Sequence, residues 1–294
     1  MRVLLTGASG FLGNYIQKEF ASQVITLGKS SSNEISCDLS EEVPKLPTLD
    51  LVIHNAGLAH QIPKNPEEES QFFKVNLFGT QNLLKGLSAS AYPPKTLVFI
   101  STVAVYGVDQ GELISEMEIP NPQTPYAKSK YEAELLLQKW AREKKVNLII
   151  LRLPLVAGGQ KTPGNLGAII RAIRKGYYFR IGMGESRKSM VLAQDVAIQL
   201  TKIQDQKGVF NLTDGMHPSV AQLDTYISEH FGRKVRSLPL NLLKKLARIG
   251  DRFSVFPLNT YRLNKLNQSL TFDDSKARRE LGWNSRPVVG HLDL

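Results

Sequence analysis

The sequence has 294 residues, 42% of them hydrophobic and 22% charged, enough for a sizeable core in one or two domains; its longest apolar run, Asn147 to Ala157, is broken by Arg152 and Pro154 and is too short to cross a bilayer. A single cysteine, Cys37, excludes an internal disulfide framework and any multi-cysteine metal site, and reads as a buried small hydrophobe. The net charge of +10 is spread over small clusters, Arg171/Arg174/Lys175, Lys244/Lys245/Arg248 and Arg278/Arg279, which favours a solvated surface and phosphorylated small ligands over a nucleic-acid groove.

Arg2 to Thr6 reads as a first strand, entered without a charged leader or cleavage site, so a cytoplasmic protein is expected. Phe11 to Ala21 follows as a helix and Val24 to Leu27 as a second strand. Glu34 to Cys37 is a candidate short third strand. Only about seven residues lead to it, whereas a helical crossover needs a dozen or more, so that helix is expected to be missing. Leu51 to His54 is a fourth strand, and then come a helix over Glu67 to Leu87, a strand over Leu97 to Ser101, a helix over Pro125 to Lys144 and a strand over Leu148 to Leu153. This alternation predicts an α/β fold, a doubly wound parallel sheet of Rossmann type with a smaller α/β region attached. Beyond Pro154 glycine and proline become frequent, while Asp195 to Ile203 and Gly208 to Leu212 are expected to return to the sheet.

Thr6-Gly7-Ala8-Ser9-Gly10-Phe11-Leu12-Gly13 lies between the first strand and the first helix. Glycines there permit a tight turn, close backbone approach to a pyrophosphate and tight helix–strand packing, while the helix N-terminus offers free N–H groups to phosphate. The spacing is Gly-x-x-Gly-x-x-Gly rather than the commoner Gly-x-Gly-x-x-Gly. A dinucleotide site is therefore expected, in a cofactor domain of residues 1–153 plus about 190–212. The remainder, about 154–189 plus 213–294, is the expected substrate-binding region. An acid after the second strand would bond the ribose 2′-hydroxyl of NAD. Here Leu27-Gly28-Lys29-Ser30-Ser31 carries none before Glu34, and Lys29 and Ser30 suit a 2′-phosphate, which tips NAD or NADP toward NADP.

Several further motifs occur in order: Cys37-Asp38-Leu39, His54-Asn55-Ala56-Gly57, Val75-Asn76-Leu77-Phe78-Gly79-Thr80, Ser101-Thr102-Val103-Ala104-Val105-Tyr106-Gly107, Tyr126-Ala127-Lys128-Ser129-Lys130, and a C-terminal segment from Phe272 to Trp283. With the glycine loop, they make the chain resemble the extended short-chain dehydrogenase/reductase family, in particular its nucleotide-sugar epimerases and 4-keto-sugar reductases of polysaccharide biosynthesis. The resemblance implies an NAD(P)-dependent oxidoreductase or epimerase, with a homodimer as the expected assembly. It implies cofactor contacts from Gly7, Ser9, Gly10, Phe11, Leu12 and Gly13, from Asp38 and Leu39 at the adenine, and from Ala56, Gly57, Ser101 and Pro154. It implies Asn76 as support for the active-site hydrogen-bond network and Thr102 as the catalytic hydroxyl, with Ser101 adjacent. Where the family carries Tyr-Gly-Pro after the last sheet strand, this chain has Ala157-Gly158-Gly159.

Tyr126 and Lys130 are four apart and share one helix face, with Thr124 and Pro125 as N-cap and first helical residue. Tyrosine is a poor base at neutral pH, and a lysine ammonium with the nicotinamide charge is expected to lower its pKa. Lys130 also suits a bond to the cofactor ribose, and Thr102 would hold the substrate oxygen beside Tyr126. His54, ending an apolar strand, reads as a satisfied core histidine; His60, His217, His230 and His291 lack metal-ligand spacing, and no metal is expected.

The expected partner is a nucleotide-diphosphate sugar, with no nucleic acid and at most peripheral membrane contact. Arg187 and Lys188, after Gly182-Met183-Gly184, and Asn165 are the candidates for its phosphates. Val103 and Ala104 stand where a 4,6-dehydratase carries Asp-Glu, and Cys37 lies in the cofactor half, so dehydratase and epimerase-reductase chemistries fit poorly. Two readings remain, a reductase acting at sugar C4 and a UDP-sugar 4-epimerase that retains NAD. The missing acid tips the choice to the reductase. A hydroxysteroid- or flavonoid-type alcohol dehydrogenase and a non-enzymatic NAD(P) sensor rank below. Pro239 to Ile249 reads as a basic amphipathic helix: a packed element, a lid or dimer element, or a membrane-resting one.

Overall fold

The computed structural model describes residues 1–59, 61–159, 162–203, 205–252 and 260–294. His60 lies outside them. In chain order come β1 (Val3–Thr6), α1 (Phe11–Phe20), β2 (Val24–Gly28), β3 (Ile35–Ser36), β4 (Leu51–His54), α2 (Pro66–Phe72), a π-helical turn (Phe73–Phe78), α3 (Gly79–Ala89), β5 (Thr96–Thr102), β6 (Gly111–Ile114), α4 (Pro125–Lys144) and β7 (Asn147–Leu153). The second half holds β8 (Leu155–Ala157), α5 (Gly164–Lys175), β9 (Phe179–Ile181), β10 (Met190–Leu192), α6 (Ala193–Thr201), β11 (Gly208–Asn211), α7 (Val220–His230), β12 (Arg236–Leu238), α8 (Leu240–Gly250), α9 (Thr260–Asn267), β13 (Leu270–Phe272) and α10 (Ser275–Leu281).

Seven of the described strands form one parallel sheet in the order β11-β7-β5-β4-β1-β2-β3. Its strands are apolar on both faces, as a covered parallel sheet requires. Leu5, Ile53 and Val98 pack with Leu12, Ile16, Val196 and Leu200 of α1 and α6. Their neighbours Leu4, Val52, Leu97 and Phe99 pack on the other side with Leu83, Leu87, Leu137 and Trp140 of α3 and α4. Chain order reverses on either side of β1, which opens a crevice at the strands' carboxyl ends, where Thr6, Gly28, His54 and Thr102 stand. A further core joins α5, α7, β8 and β10 through Leu166, Ile170, Leu192 and Ile227.

The missing crossover is a real feature. β3 pairs parallel to β2, Leu27 with Ile35 and Gly28 with Ser36, after only the loop 29–34. Local bonds brace it: Asn33 N–H donates to Ser30 O (3.0 Å), Glu34 N–H to Thr26 Oγ1 (3.1 Å) and Cys37 N–H to Gly28 O (3.0 Å). The single helix expected over Glu67 to Leu87 differs, being split by the π-helical turn in which Gly79 N–H bonds Lys74 O. One extra residue in that turn re-aims Asn76 toward Leu58 and Ser129, a common use of such bulges.

Candidate active site

The glycine loop is a cradle in which Gly7 and Gly13 leave no room for a Cβ. Gly7 has φ +70°, and a Cβ there would lie 2.7 Å from Ala56 N; at Gly13 it would lie 2.1 Å from Gly7 O. Gly10 caps α1 without a side-chain bond, and its N–H closes the turn on Gly7 O (3.1 Å). Helix α1 therefore presents free first-turn N–H groups beside bare backbone, with Ser9 exposed, which fits a dinucleotide pyrophosphate. Phe11 stacks edge-on to Tyr15 (5.6 Å), and Leu12 is buried in the core, so both anchor the cradle. Asn55 donates to Gly7 O (3.0 Å), a brace that sequence reading did not single out.

Behind the cradle runs a continuous hydrogen-bond relay. Ala56 N–H donates to Thr6 Oγ1 (3.0 Å), and Thr6 Oγ1 meets His54 Nδ1 (2.7 Å). His54 Nε2 meets Thr80 Oγ1 (2.8 Å), which donates to Asn76 O (2.6 Å). Because Thr80 spends its proton on Asn76, His54 carries its own on Nε2 and accepts at Nδ1. Burial, helped by the charge of Lys130, depresses the imidazole pKa to about 3. Asn76 then donates to Ser129 Oγ (2.9 Å) and Leu58 O (3.1 Å) and accepts from Leu58 N–H (2.7 Å); Ser129 Oγ donates to Tyr126 O (2.9 Å). The relay ties the cradle to the helix bearing Tyr126.

Helix α4 starts where the sequence places it, with Thr124 Oγ1 accepting from Ala127 N–H (3.2 Å) and Pro125 in its first turn. Tyr126 is half-buried, is hydrogen-bonded to Thr102, and meets Phe72 edge-on at 6.2 Å. Burial raises its phenol pKa, and the Thr102 bond only partly opposes this. Lys130 is buried, donates to Ile100 O (2.6 Å) and lies 3.9 Å over the Phe99 ring. Burial lowers its pKa to about 7 against the pull of Glu134 one turn on. The expected lowering of the Tyr126 pKa by Lys130 and the nicotinamide charge together belongs to the cofactor-bound protein. A cavity of about 350 Å³ opens beside Tyr126, lined by Ile62, Pro63, Phe72, Thr124 and Pro125.

Strand alternation separates the adjacent hydroxyls Ser101 and Thr102. Thr102 caps the next turn by accepting from Ala104 N–H (3.2 Å) and reaches Tyr126. The Ser101 side chain instead donates to buried Glu134, which also holds Arg152 through Nε (3.2 Å) and Nη2 (2.7 Å). That bond spends the proton of the Ser101 hydroxyl inside the protein. The pairing of Arg152 with Glu134 went unread, although an arginine inside an apolar strand demands a buried partner. Gly57 faces the same ground: a Cβ there would lie 3.1 Å from Asn76 Oδ1 and 3.7 Å from Lys130 Nζ. Pro154 is half-buried, between β7 and β8.

At the end of β2, Lys29 pairs with Asp38 (2.8 Å) yet remains 66% exposed, and Ser30 bonds Ser32 (2.9 Å). Burial alone would raise the Asp38 pKa, but bonds from Lys29 and Ser40 bring it below the usual range. The Leu39 side chain is in the core and its carbonyl accepts from Asn82 (2.9 Å). Farther out, Asn165 is exposed in the first turn of α5. Exposed Arg187 donates to His217 O (3.2 Å) and half-buried Lys188 to Lys265 O (3.2 Å). Lys265 pairs with Asp109 (2.6 Å), stapling α9 to the loop that follows Tyr106 and Gly107. A cavity of about 460 Å³ lies at Gly182–Ser186, Ser237–Leu240 and Asn267. Among the described residues no group of three or more His, Cys, Asp and Glu is placed to hold a metal.

The chain is similar to known proteins in sequence and in fold. The chain is 25% identical over 308 residues to N-acetyl-alpha-D-glucosaminyl-diphospho-ditrans,octacis-undecaprenol 4-epimerase of Escherichia coli O157:H7, covering 93% of this chain and 88% of the relative. It is 28% identical over 239 residues to GDP-6-deoxy-D-mannose reductase of Pseudomonas aeruginosa, covering 76% and 77%. The fold matches that of UDP-glucose 4-epimerase from Thermotoga maritima, solved with UDP-glucose, at TM-score 0.71 and 23% identity over 97% of this chain and 94% of that one. The model of the NAD dependent epimerase/dehydratase family matches residues 3–212, from the first strand through the last strand of the sheet, and the chain belongs to that family of NAD(P)-dependent enzymes.

Proposed function

We propose that this protein reduces the 4-keto group of a nucleoside-diphosphate sugar with NADPH. The observation that carries the reading is the end of β2, where Gly28 stands in place of a ribose-binding acid and exposed Lys29 offers a cation to a 2′-phosphate. The bound dinucleotide supplies the hydride. Thr102 and Tyr126 hydrogen-bond the keto oxygen, and Tyr126 donates the proton, so hydride and proton together convert ketone to alcohol. A phenol kept protonated by burial suits that direction. Lys130 anchors the cofactor ribose and returns the proton through its ammonium, while Asn76 and Ser129 position the helix between them. Arg187, Lys188 and Asn165 hold the diphosphate.

A second reading has its own support. Asp38 already engages Lys29, which weakens its appeal to phosphate, and the E. coli 4-epimerase relative aligns along more of the chain than the reductase does. Under this reading the enzyme is a 4-epimerase with retained NAD. Its substrate is a UDP-sugar or, given that relative's name, a polyprenyl-diphosphate sugar. The test is incubation of purified protein with UDP-4-keto-6-deoxy sugars, UDP-sugars and polyprenyl-diphosphate N-acetylglucosamine, with NADPH and NADH in turn. Oxidation of one NADPH per 4-hydroxy sugar formed supports the reductase. A 4-epimer made without added reductant replaces it with the epimerase.

A further inference from the structure

One segment carries a large share of the chain's excess positive charge. Residues 233–252 carry seven Lys and Arg against a single acid, Asp251, a net +6 within a chain of net +10. Asp251 is occupied elsewhere, accepting from Thr260 N–H (2.8 Å) and Thr260 Oγ1 (2.5 Å). Among the described residues no ion pair neutralises Lys244, Lys245 or Arg248 of α8, whereas Lys29, Lys74, Lys95 and Lys265 each have a carboxylate partner. The cations of α8 are exposed and electrostatically unanswered.

The same helix also exposes apolar surface. Its inner side is spent on packing, with Leu243 and Ala247 buried against Leu263, Ile181 and Leu238. Outward it shows Leu242, 49% exposed, and Ile249, 51% exposed. These two are seven residues apart and share one line at the border of the packed side, with Lys245 next to them, Arg248 farther round and Lys244 across the helix. The first turn of α8 also borders the cavity at Gly182–Asn267, where Met183 is 74% exposed.

We propose that α8 is a peripheral membrane-docking element that seats the substrate-binding region on an anionic bilayer. Lys244, Lys245 and Arg248 contact lipid phosphates while Leu242 and Ile249 enter the acyl boundary, the arrangement of an interfacial amphipathic helix. Eleven residues are far too few to span a bilayer, and no described helix is long and apolar enough to do so. A second copy of the chain is a poor occupant, because a two-fold contact would set like charges against each other. Nucleic acid would use the cations but gain nothing from outward leucine and isoleucine. Docking here would place the cavity mouth at the lipid surface, within reach of a substrate carried there.

The proposal is independent of the reaction, since its test reads binding rather than turnover. The full chain is floated with vesicles of phosphatidylcholine alone and of phosphatidylcholine with phosphatidylglycerol in a two-to-one ratio. Binding to the anionic vesicles is expected to be at least about tenfold tighter and to weaken with salt. K244Q/K245Q/R248Q should lose roughly a hundredfold on anionic vesicles, following the contribution of about one contact per cation. L242S/I249S should lose several-fold and keep the salt dependence, while both variants retain the wild-type melting temperature. Equal binding to both vesicle types overturns the proposal, as do absence of binding and full binding by the triple variant. Tighter binding to a short DNA duplex than to anionic vesicles at the same salt also overturns it, and reassigns the face to nucleic acid.

Discussion

The cofactor cradle and the proposed substrate face of this enzyme are built on opposite principles. Behind the cradle the buried polar side chains have internal partners: Thr6, His54, Thr80, Asn76 and Ser129 pass hydrogen bonds from one to the next, and Glu134 binds Ser101 and Arg152. On the substrate face, Arg187, Lys188 and Asn165 project from loops or a helix start, and the first two hold only backbone carbonyls. A buried polar group without a partner is costly, so the cradle is locked before any ligand arrives. Exposed Arg187 carries no such penalty and keeps bonding capacity for an anion, while half-buried Lys188, its pKa lowered by burial, would gain from one. Pre-organisation sits around the helix that carries Tyr126, and unspent charge sits on the proposed substrate face. Variants in the cradle should therefore damage stability or turnover, and variants on the face should damage affinity alone.

The largest effect is expected from Glu134→Ala. Glu134 is fully buried and Arg152 is 5% exposed, so the variant strands a guanidinium inside the sheet and frees the Ser101 hydroxyl. Removing one partner of a buried pair costs about 3–5 kcal/mol, to be read from urea unfolding. A loss below about 1 kcal/mol would show that water reaches the pair and that the cradle is less closed than its bonds imply. Next comes Tyr126→Phe, which keeps the ring against Phe72 and removes only the hydroxyl facing Thr102. Turnover should fall at least about a hundredfold with cofactor affinity unchanged, the scale of a general acid. Near-normal turnover would transfer the proton step to another group.

The relay predicts a pH dependence of its own. Folded His54 is held neutral by burial, with a pKa of about 3, whereas an unfolded histidine titrates near 6.5. Above that value neither state binds the proton, and the contribution is complete. As pH falls below it, only the unfolded chain takes up the proton, so stability is lost progressively down to about 3. At pH 5 the loss is about 2 kcal/mol. His54→Gln should remove this part of the acid sensitivity, and unfolding curves at pH 7 and pH 5 for both proteins measure it. Equal acid losses would mean that the imidazole is not kept neutral by its neighbours.

How much of this could be read beforehand follows the same division. Helix α4 was legible because its signals are local: Thr124 as cap, Pro125 in the first turn, and Tyr126 and Lys130 one turn apart. The absent crossover between β2 and β3 was legible from chain length, and His54 from its place at the end of an apolar strand. The Glu134–Arg152 pair was not, because it depends on the register of β5 against β7, which sets Ser101 opposite Arg152. Nor was the pairing of β6 with β13, strands separated by more than half the chain, or the hold of Asp38 on Lys29. The π-helical turn at Asn76 also escaped, since its cause is tertiary: an amide that must reach both Leu58 and Ser129.

On the substrate face the expected effects are smaller. Replacing Arg187 and Lys188 by Gln removes two cations whose present bonds are to carbonyls of His217 and Lys265. Both backbone acceptors remain near the surface, so stability should change by less than about 0.5 kcal/mol. The Michaelis constant for a nucleoside-diphosphate sugar should rise about tenfold, the value of a charge-assisted contact partly screened by water. A fall in cofactor affinity instead would show that the two regions are coupled and that the division drawn above is too sharp.

The smallest effect is the one that discriminates most between the two reactions. Lys29 is 66% exposed and shared with Asp38, so its contribution to a 2′-phosphate is screened and divided. Lys29→Ala should weaken NADPH roughly three- to fivefold and leave NADH unchanged. Gly28→Asp should go further and reverse the preference, because a carboxylate at the end of β2 repels the phosphate and accepts from a ribose hydroxyl. Its Cβ would meet the Asn33 side chain at 3.0 Å, a flexible neighbour that can turn aside, so the loop 29–34 should keep its backbone bonds. Glu34 is exposed and its N–H is held by Thr26, which fixes its backbone just before β3. Fluorescence titration of both cofactors against the unmodified protein and the two variants gives the order directly. Tighter NADPH that Gly28→Asp reverses supports the reductase; tighter NADH in the unmodified protein removes its main argument and leaves the retained-NAD 4-epimerase.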